Sequence, residues 1–171
     1  MEYVEAIAMA QQIKALLEPH CYKIEIAGSI RRKKLQVKDI EIVAIPKPYD
    51  TGLFADGLAS VVDLWPCVKG ELAYMARSGV KQCRYTRRLY KEGVYVDLFF
   101  ANPKNWGYIL ALRTGSTNWN TDVLLPSIKK AGYQALGGHI RYQGAVVPVP
   151  EETDLFKLLR IPYILPEGRN I

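Results

Sequence analysis

The chain has 171 residues, 49% of them apolar and 23% charged, with a net charge of +6 and a pI of about 9.2. This is globular composition, which excludes a disordered or collagen-like chain. A chain of this length buries enough surface to fold without disulfide staples. No stretch approaches the ~18 uncharged apolar residues of a membrane span. The opening MEYVEAIAMAQQIKALLEP carries Glu2, Glu5 and Lys14 and lacks the basic start of a signal peptide. An intracellular protein is expected, cytoplasmic or associated with the nucleoid, with no membrane partner. The basic balance suits a polyanionic partner, although basic composition also occurs in proteins that bind no nucleic acid. Cys21, Cys67 and Cys83 are odd in number and show no paired spacing. A zinc site built from them with His20 and His139 is therefore not expected, and three free thiols are.

Residues 3–17 place Val4, Ile7, Ala8, Ile13, Leu16 and Leu17 near helical period, and Pro19 closes that helix. YKIEIA (22–27) alternates like a half-buried strand, and DIEIVAIP (39–46) reads as a second. Residues 53–63 form a weak amphipathic helix. CRYTRRLY (83–90) and VYVDLFFA (94–101) read as strands, joined by the turn KEG into a hairpin. WGYILAL (106–112) is helical, Thr114-Gly115-Ser116 interrupts it, and a helix resumes from about 118 to 131. The stretch 132–150 is rich in glycine and β-formers, so a small antiparallel sheet is expected, followed by a helix over 151–159. A boundary near 103/104 divides the chain into two units. The expected class is α+β: a mixed or antiparallel sheet with helices on one face (1–103) and a small α+β unit (104–171).

Three strings carry chemistry. Asp39 and Glu41 lie two apart on one strand, which points both carboxylates to one face. Buried and unpaired they are costly, and a hard divalent cation such as Mg²⁺ removes that cost. A solvated strand face is the plain alternative. Asp97 stands among Val96, Leu98 and Phe99, where a carboxylate needs a partner. That partner is a metal, or Arg87 or Arg88 in a structural salt bridge. If the two strands are neighbours, about 4.8 Å apart, three carboxylates converge on two ions. The other acid pair at this spacing, Glu152/Asp154, precedes an apolar run and reads as helix N-terminal capping.

Gly28-Ser29-Ile30-Arg31-Arg32 follows the first strand. Gly28 permits close backbone approach, Ser29 and exposed N–H groups suit phosphate oxygens, and Arg32 adds charge. Read alone it is an ordinary basic turn. In Thr114-Gly115-Ser116, with Asn118 and Asn120 beyond, glycine permits an unusual turn and Asn120 can bond a base or sugar. An ordinary N-cap by Ser116 or Thr117 is the alternative.

Taken together and in order, GSIRR (28–32), DIE (39–41), VDLF (96–99), TGS (114–116) and DLFKLLRIPYILPEGR (154–169) resemble the family X DNA polymerases, the group containing DNA polymerase β. The acid pair begins eleven residues after the glycine, as in that family. The resemblance spans nearly all of residues 4–169. It implies a palm domain carrying Asp39, Glu41 and Asp97 as catalytic and metal-binding residues, and a small nucleotide-gripping domain. By the same resemblance Mg²⁺ is the cofactor, as two ions, with Mn²⁺ able to substitute. Asp39 and Glu41 would bridge both ions, and Asp97 would hold the catalytic one. Gly28, Ser29, Arg32, Lys38, Thr114, Gly115, Ser116 and Asn120 would bind the nucleotide.

The implied activity is DNA-directed DNA synthesis, adding a deoxynucleotide from a dNTP to a primer 3′-hydroxyl in gap filling or repair. The enzyme is expected to act as a monomer. The alternative is a template-independent nucleotidyltransferase, or one acting on a small molecule, a protein or an RNA end. A non-catalytic nucleic-acid-binding module is disfavoured because all three acids are present. Several positions depart from the family pattern. Glu41 replaces the usual Asp, as in antibiotic nucleotidyltransferases. Leu112 and Arg113 replace Tyr-Phe, and Thr121 and Leu124 stand where a basic residue is common. The length leaves no room for the lyase and helix-hairpin-helix units, so DNA grip falls to Arg84, Arg87, Arg88, Lys129 and Lys130. Each of these five also reads as part of a solvated basic face.

Overall fold

A computed structural model describes residues 1–47, 57–70 and 84–171. Cys83 and residues 53–56 of the expected 53–63 helix lie outside these. The order of elements is α1 (Tyr3–Leu17), β1 (Cys21–Ile26), α2 (Gly28–Arg31), β2 (Ile40–Pro46), α3 (Leu58–Val62), β3 (Cys67–Lys69), β4 (Tyr85–Lys91), β5 (Val94–Phe100) and α4 (Trp106–Thr114). A helical stretch follows: α5 (Thr117–Trp119), a π-helical turn (Asn120–Leu124) and α6 (Leu125–Lys130). Then come β6 (Gln134–Leu136), β7 (His139–Tyr142), β8 (Ala145–Val147) and α7 (Glu152–Leu158).

The first five strands form one mixed sheet in the order β1-β2-β5-β4-β3. β2 and β5 run parallel, and the other described neighbours are antiparallel. β6, β7 and β8 form a separate antiparallel sheet, as the glycine-rich segment suggests. Strand alternation sorts the side chains of β2 and β5 into two cores. Ile40, Ile42, Val96 and Leu98 face α1 and α3, while Val43, Ile45, Phe99 and Ala101 face α4 and the C-terminal half. Helices therefore flank both faces, not one. The apolar ends of β2 and β5 require cover on the second face, and α4 supplies it. The second core joins residues from both sides of the expected 103/104 boundary.

α1 is a helix as its periodicity implies, but its inner stripe is Ala6, Ala10, Ile13 and Leu17. Val4 and Leu16 point outward, 77% and 49% exposed. Small alanines let the helix axis approach the sheet more closely than larger side chains allow. No helix of the described residues is long and apolar enough to cross a membrane.

Candidate active site

The parallel pairing of β2 and β5 puts Glu41 in register with Asp97, and the antiparallel pairing of β4 and β5 puts Arg87 opposite Asp97. All three side chains project from the second face of the sheet. Asp39 lies just before β2 and is drawn to the same place. Arg87 bridges the outer acids, donating from Nη2 to Asp39 Oδ2 at 3.2 Å and from Nη1 to Asp97 Oδ2 at 3.2 Å. Its guanidinium also lies 4.8 Å from the Tyr95 ring centroid. The Tyr85 hydroxyl donates to Asp97 Oδ1 at 2.7 Å. Both readings of Asp97 thus meet in one structure: it has an arginine partner, and it neighbours the acid pair. Among the described residues, no three His, Cys, Asp or Glu side chains are grouped so as to hold a metal ion. The acids are closed over by a guanidinium in this structure.

The electrostatics follow from crowding. Burial, then the like charges of Asp39 and Asp97, push the Glu41 carboxyl up to about 7, against the positive charges of Arg32 and Arg113. Burial likewise raises Asp97, opposed by its bonds to Tyr85 and Arg87. Burial and the bond to Asp97 push the Tyr85 phenol up to about 12, so it remains a proton donor.

Gly28 packs directly on Glu41. It has φ +60°, and a Cβ there would fall 1.7 Å from Glu41 Oε2. Both the backbone conformation and the proximity of the carboxyl require glycine. Ser29 is half-buried beside it, and Lys38 is exposed at the approach to β2. The arginines of GSIRR turn inward. Arg32, 8% exposed, donates to the Thr114 carbonyl at 2.5 Å and to Asn170 Oδ1 at 2.7 Å. Its role here is to fasten α2 to the end of α4, not to present a free charge to phosphate. Arg31 makes a bidentate pair with Glu152, at 2.8 and 2.9 Å, and donates to Thr114 Oγ1 at 2.7 Å. Glu152 also accepts from Arg169 at 2.6 Å and from Tyr163 at 2.7 Å. The helix cap is made instead by Glu151 and Asp154.

Thr114-Gly115-Ser116 forms a tight junction. A Cβ on Gly115 would lie 2.3 Å from the Trp119 ring and 2.7 Å from Asn120 Oδ1. The Ser116 hydroxyl caps the next helix, accepting from Trp119 N at 3.0 Å, and donates to the Ile171 carbonyl at 2.7 Å. Asn120 donates to the Leu112 carbonyl at 2.9 Å, while its buried Oδ1 has no partner. The turn and Asn120 therefore hold each other.

Of the five residues expected to grip DNA, Arg84, Lys129 and Lys130 are exposed. Arg87 is engaged by the acids. Arg88 is only 5% exposed, bonded to Thr86 Oγ1, the Trp65 carbonyl and Asp63, and cannot meet a polyanion. Two site residues escape a reading of the sequence. Tyr85 orients Asp97. Arg113, notable in the sequence only as a departure from the family pattern, lies 4.0 Å over the Phe99 ring, and its buried Nε has no partner. Phe99 shares the face of Asp97, so Arg113 brings a positive charge to the site's other flank. A cleft of about 490 Å³ between α6 and β6 is lined by Leu125, Ile128, Lys129, Gly132, Tyr133, Gln134 and Ala135, with none of the acids. No protein-family model matches the chain, and no curated protein matches its sequence.

Proposed function

We propose that this chain is a nucleotidyltransferase, its five-stranded sheet serving as the palm, and that it extends a DNA primer from a dNTP in gap filling or repair. The observation that carries this reading is the adjacency of Glu41 and Asp97 on parallel strands, with Asp39 tied to Asp97 through Arg87. Glu41, raised to about 7 by burial and by the like charges of Asp39 and Asp97, makes a site that favours added positive charge. The donor set is all carboxylate oxygen, without thiolate or imidazole, and fits Mg²⁺ or Mn²⁺.

Asp39, Glu41 and Asp97 are the residues that would hold two such ions. When bound, the ions neutralise triphosphate charge and lower the pKa of an attacking hydroxyl. The protein's own groups do the positioning. Tyr85 fixes the Asp97 carboxyl by donating to one oxygen, leaving the other to Arg87. Gly28 removes side-chain bulk beside Glu41, so that this carboxyl packs directly against the α2 backbone. Ser29 offers a hydroxyl at the same edge. Arg113, held over the Phe99 ring, adds a positive charge on the α4 side. Phosphoryl transfer draws mainly on such positioning and charge neutralisation, with little covalent work for side chains.

The test is primer extension on gapped, recessed and blunt duplexes with Mg²⁺ or Mn²⁺. Template-directed incorporation is expected. Incorporation indifferent to template would make the chain a terminal transferase. Turnover onto another acceptor only would favour the second reading, a small-molecule or RNA nucleotidyltransferase, which Glu41 in an Asp-x-Glu arrangement supports. Asp97→Ala should lower turnover by ~10³-fold or more while triphosphate binding survives. A variant with normal turnover overturns the site assignment.

A further inference from the structure

Basic side chains from three separate segments gather beyond the acid site. Arg84 precedes β4, and its carbonyl accepts from Phe100 N at 3.0 Å. It therefore lies opposite residue 100, three residues past Asp97, or roughly 10 Å along the strand. The Arg84 guanidinium reaches the turn between β6 and β7, with Nη2 3.9 Å from where a Cβ of Gly137 would sit. Lys104 is exposed, next to Asn105, whose Nδ2 bonds the Gly138 carbonyl at 2.9 Å and ties the segment after β5 to that turn. His139 and Arg141, two apart on β7, share one face.

Among the described residues, none of these four pairs with a carboxylate. His139 Nδ1 and Arg141 Nε are buried without a hydrogen-bond partner. Arg141 makes one bond, to the Gly144 carbonyl at 2.7 Å. Burial, and then the positive charges of Arg141, Arg84 and Lys104, lower the His139 pKa, as expected where cations crowd together. Like charges gathered without acidic neighbours repel one another and create a strong positive potential.

We infer that Arg84, Lys104, His139 and Arg141 form the surface that grips the sugar-phosphate backbone of a polynucleotide acceptor. The inference rests on the nucleic-acid reading of the acid site and moves the grip away from Arg87 and Arg88. The geometry suits a strand that passes the carboxylates and runs on across β7. Guanidinium and ammonium groups on this surface neutralise successive phosphates.

The test is fluorescence anisotropy with a labelled duplex bearing a single-stranded extension, titrated between 50 and 200 mM salt. The variant is R84Q/K104Q/R141Q. A control of equal charge change, K34Q/K91Q/K157Q, alters exposed lysines elsewhere. The cluster variant should bind at least tenfold more weakly than the control. Its salt slope should be shallower by about 0.9 for each phosphate no longer neutralised. R84Q/K104Q leaves the Arg141–Gly144 bond intact and should show the same trend if the triple variant folds poorly. Equal weakening by control and cluster variants overturns the inference even where wild-type incorporation is normal. So does binding to vesicles of anionic lipid in preference to the duplex.

Discussion

Gly28 carries two constraints at once, and Gly28→Ala tests both. A left-handed backbone costs an L-residue about 1–2 kcal/mol, and the new methyl would also strike Glu41. We expect a loss of roughly 2 kcal/mol or more in urea unfolding. An unchanged midpoint would mean that the Glu41 carboxyl does not pack against α2. The chemical identity of the acids is legible in the sequence, because an aspartate among Val96, Leu98 and Phe99 demands compensation. Arg87 and Arg88 are not separable there. Only the register opposite Asp97 shows that Arg87 meets the acids while Arg88 turns under the sheet. Arg113 is visible only as an unexpected residue before Thr114. Its stacking on Phe99 depends on α4 returning across the sheet, which no local pattern encodes.

At the scale of elements, α2, the end of α4, α7 and the tail are joined by one buried carboxylate. Burial alone would raise Glu152, but hydrogen bonds from Arg31 and Arg169 outweigh it and bring it down to about 2. Its stabilisation is complete above the ordinary carboxylate pKa near 4.5 and is lost as pH falls from there towards 2. Thermal unfolding between pH 5 and pH 2.5 should show the melting temperature falling in that window. Glu152→Gln should be less stable at pH 7 by about 3 kcal/mol or more and should flatten that dependence, since it strands two arginines. A variant with wild-type stability and slope would remove Glu152 from this role. The helices and the β4–β5 hairpin can be read from periodicity and the KEG turn, because those signals are local. The Glu152 cluster cannot, since Arg31 and its partner lie 121 residues apart. The capping role that spacing suggests for Glu152 belongs to Glu151 and Asp154.

For the molecule as a whole, the sheet is a shared wall. Trp65 belongs to the core on one side, and Trp106 and Trp119 to the core on the other. Because β2 and β5 contribute side chains to both, neither core survives loss of the other. Unfolding should be a single transition, with tryptophan fluorescence, far-UV circular dichroism and fluorescence of Trp65→Phe coinciding. Separated transitions would mean that the regions on either side of residue 103 fold independently.

The parallel join between β2 and β5 also sets an order of events in time. Glu41 and Asp97 are remote along the chain, and their strands cannot be connected by a tight turn as an antiparallel pair can. The entropy of closing that long loop must be overcome before the pairing returns anything. Local helices and the β4–β5 hairpin can form early, but the three carboxylates become neighbours only when the last distant strand docks. The acid cluster is therefore absent from a newly made chain until its topology is complete, and mutual repulsion of the acids is felt only once the surrounding framework can withstand it.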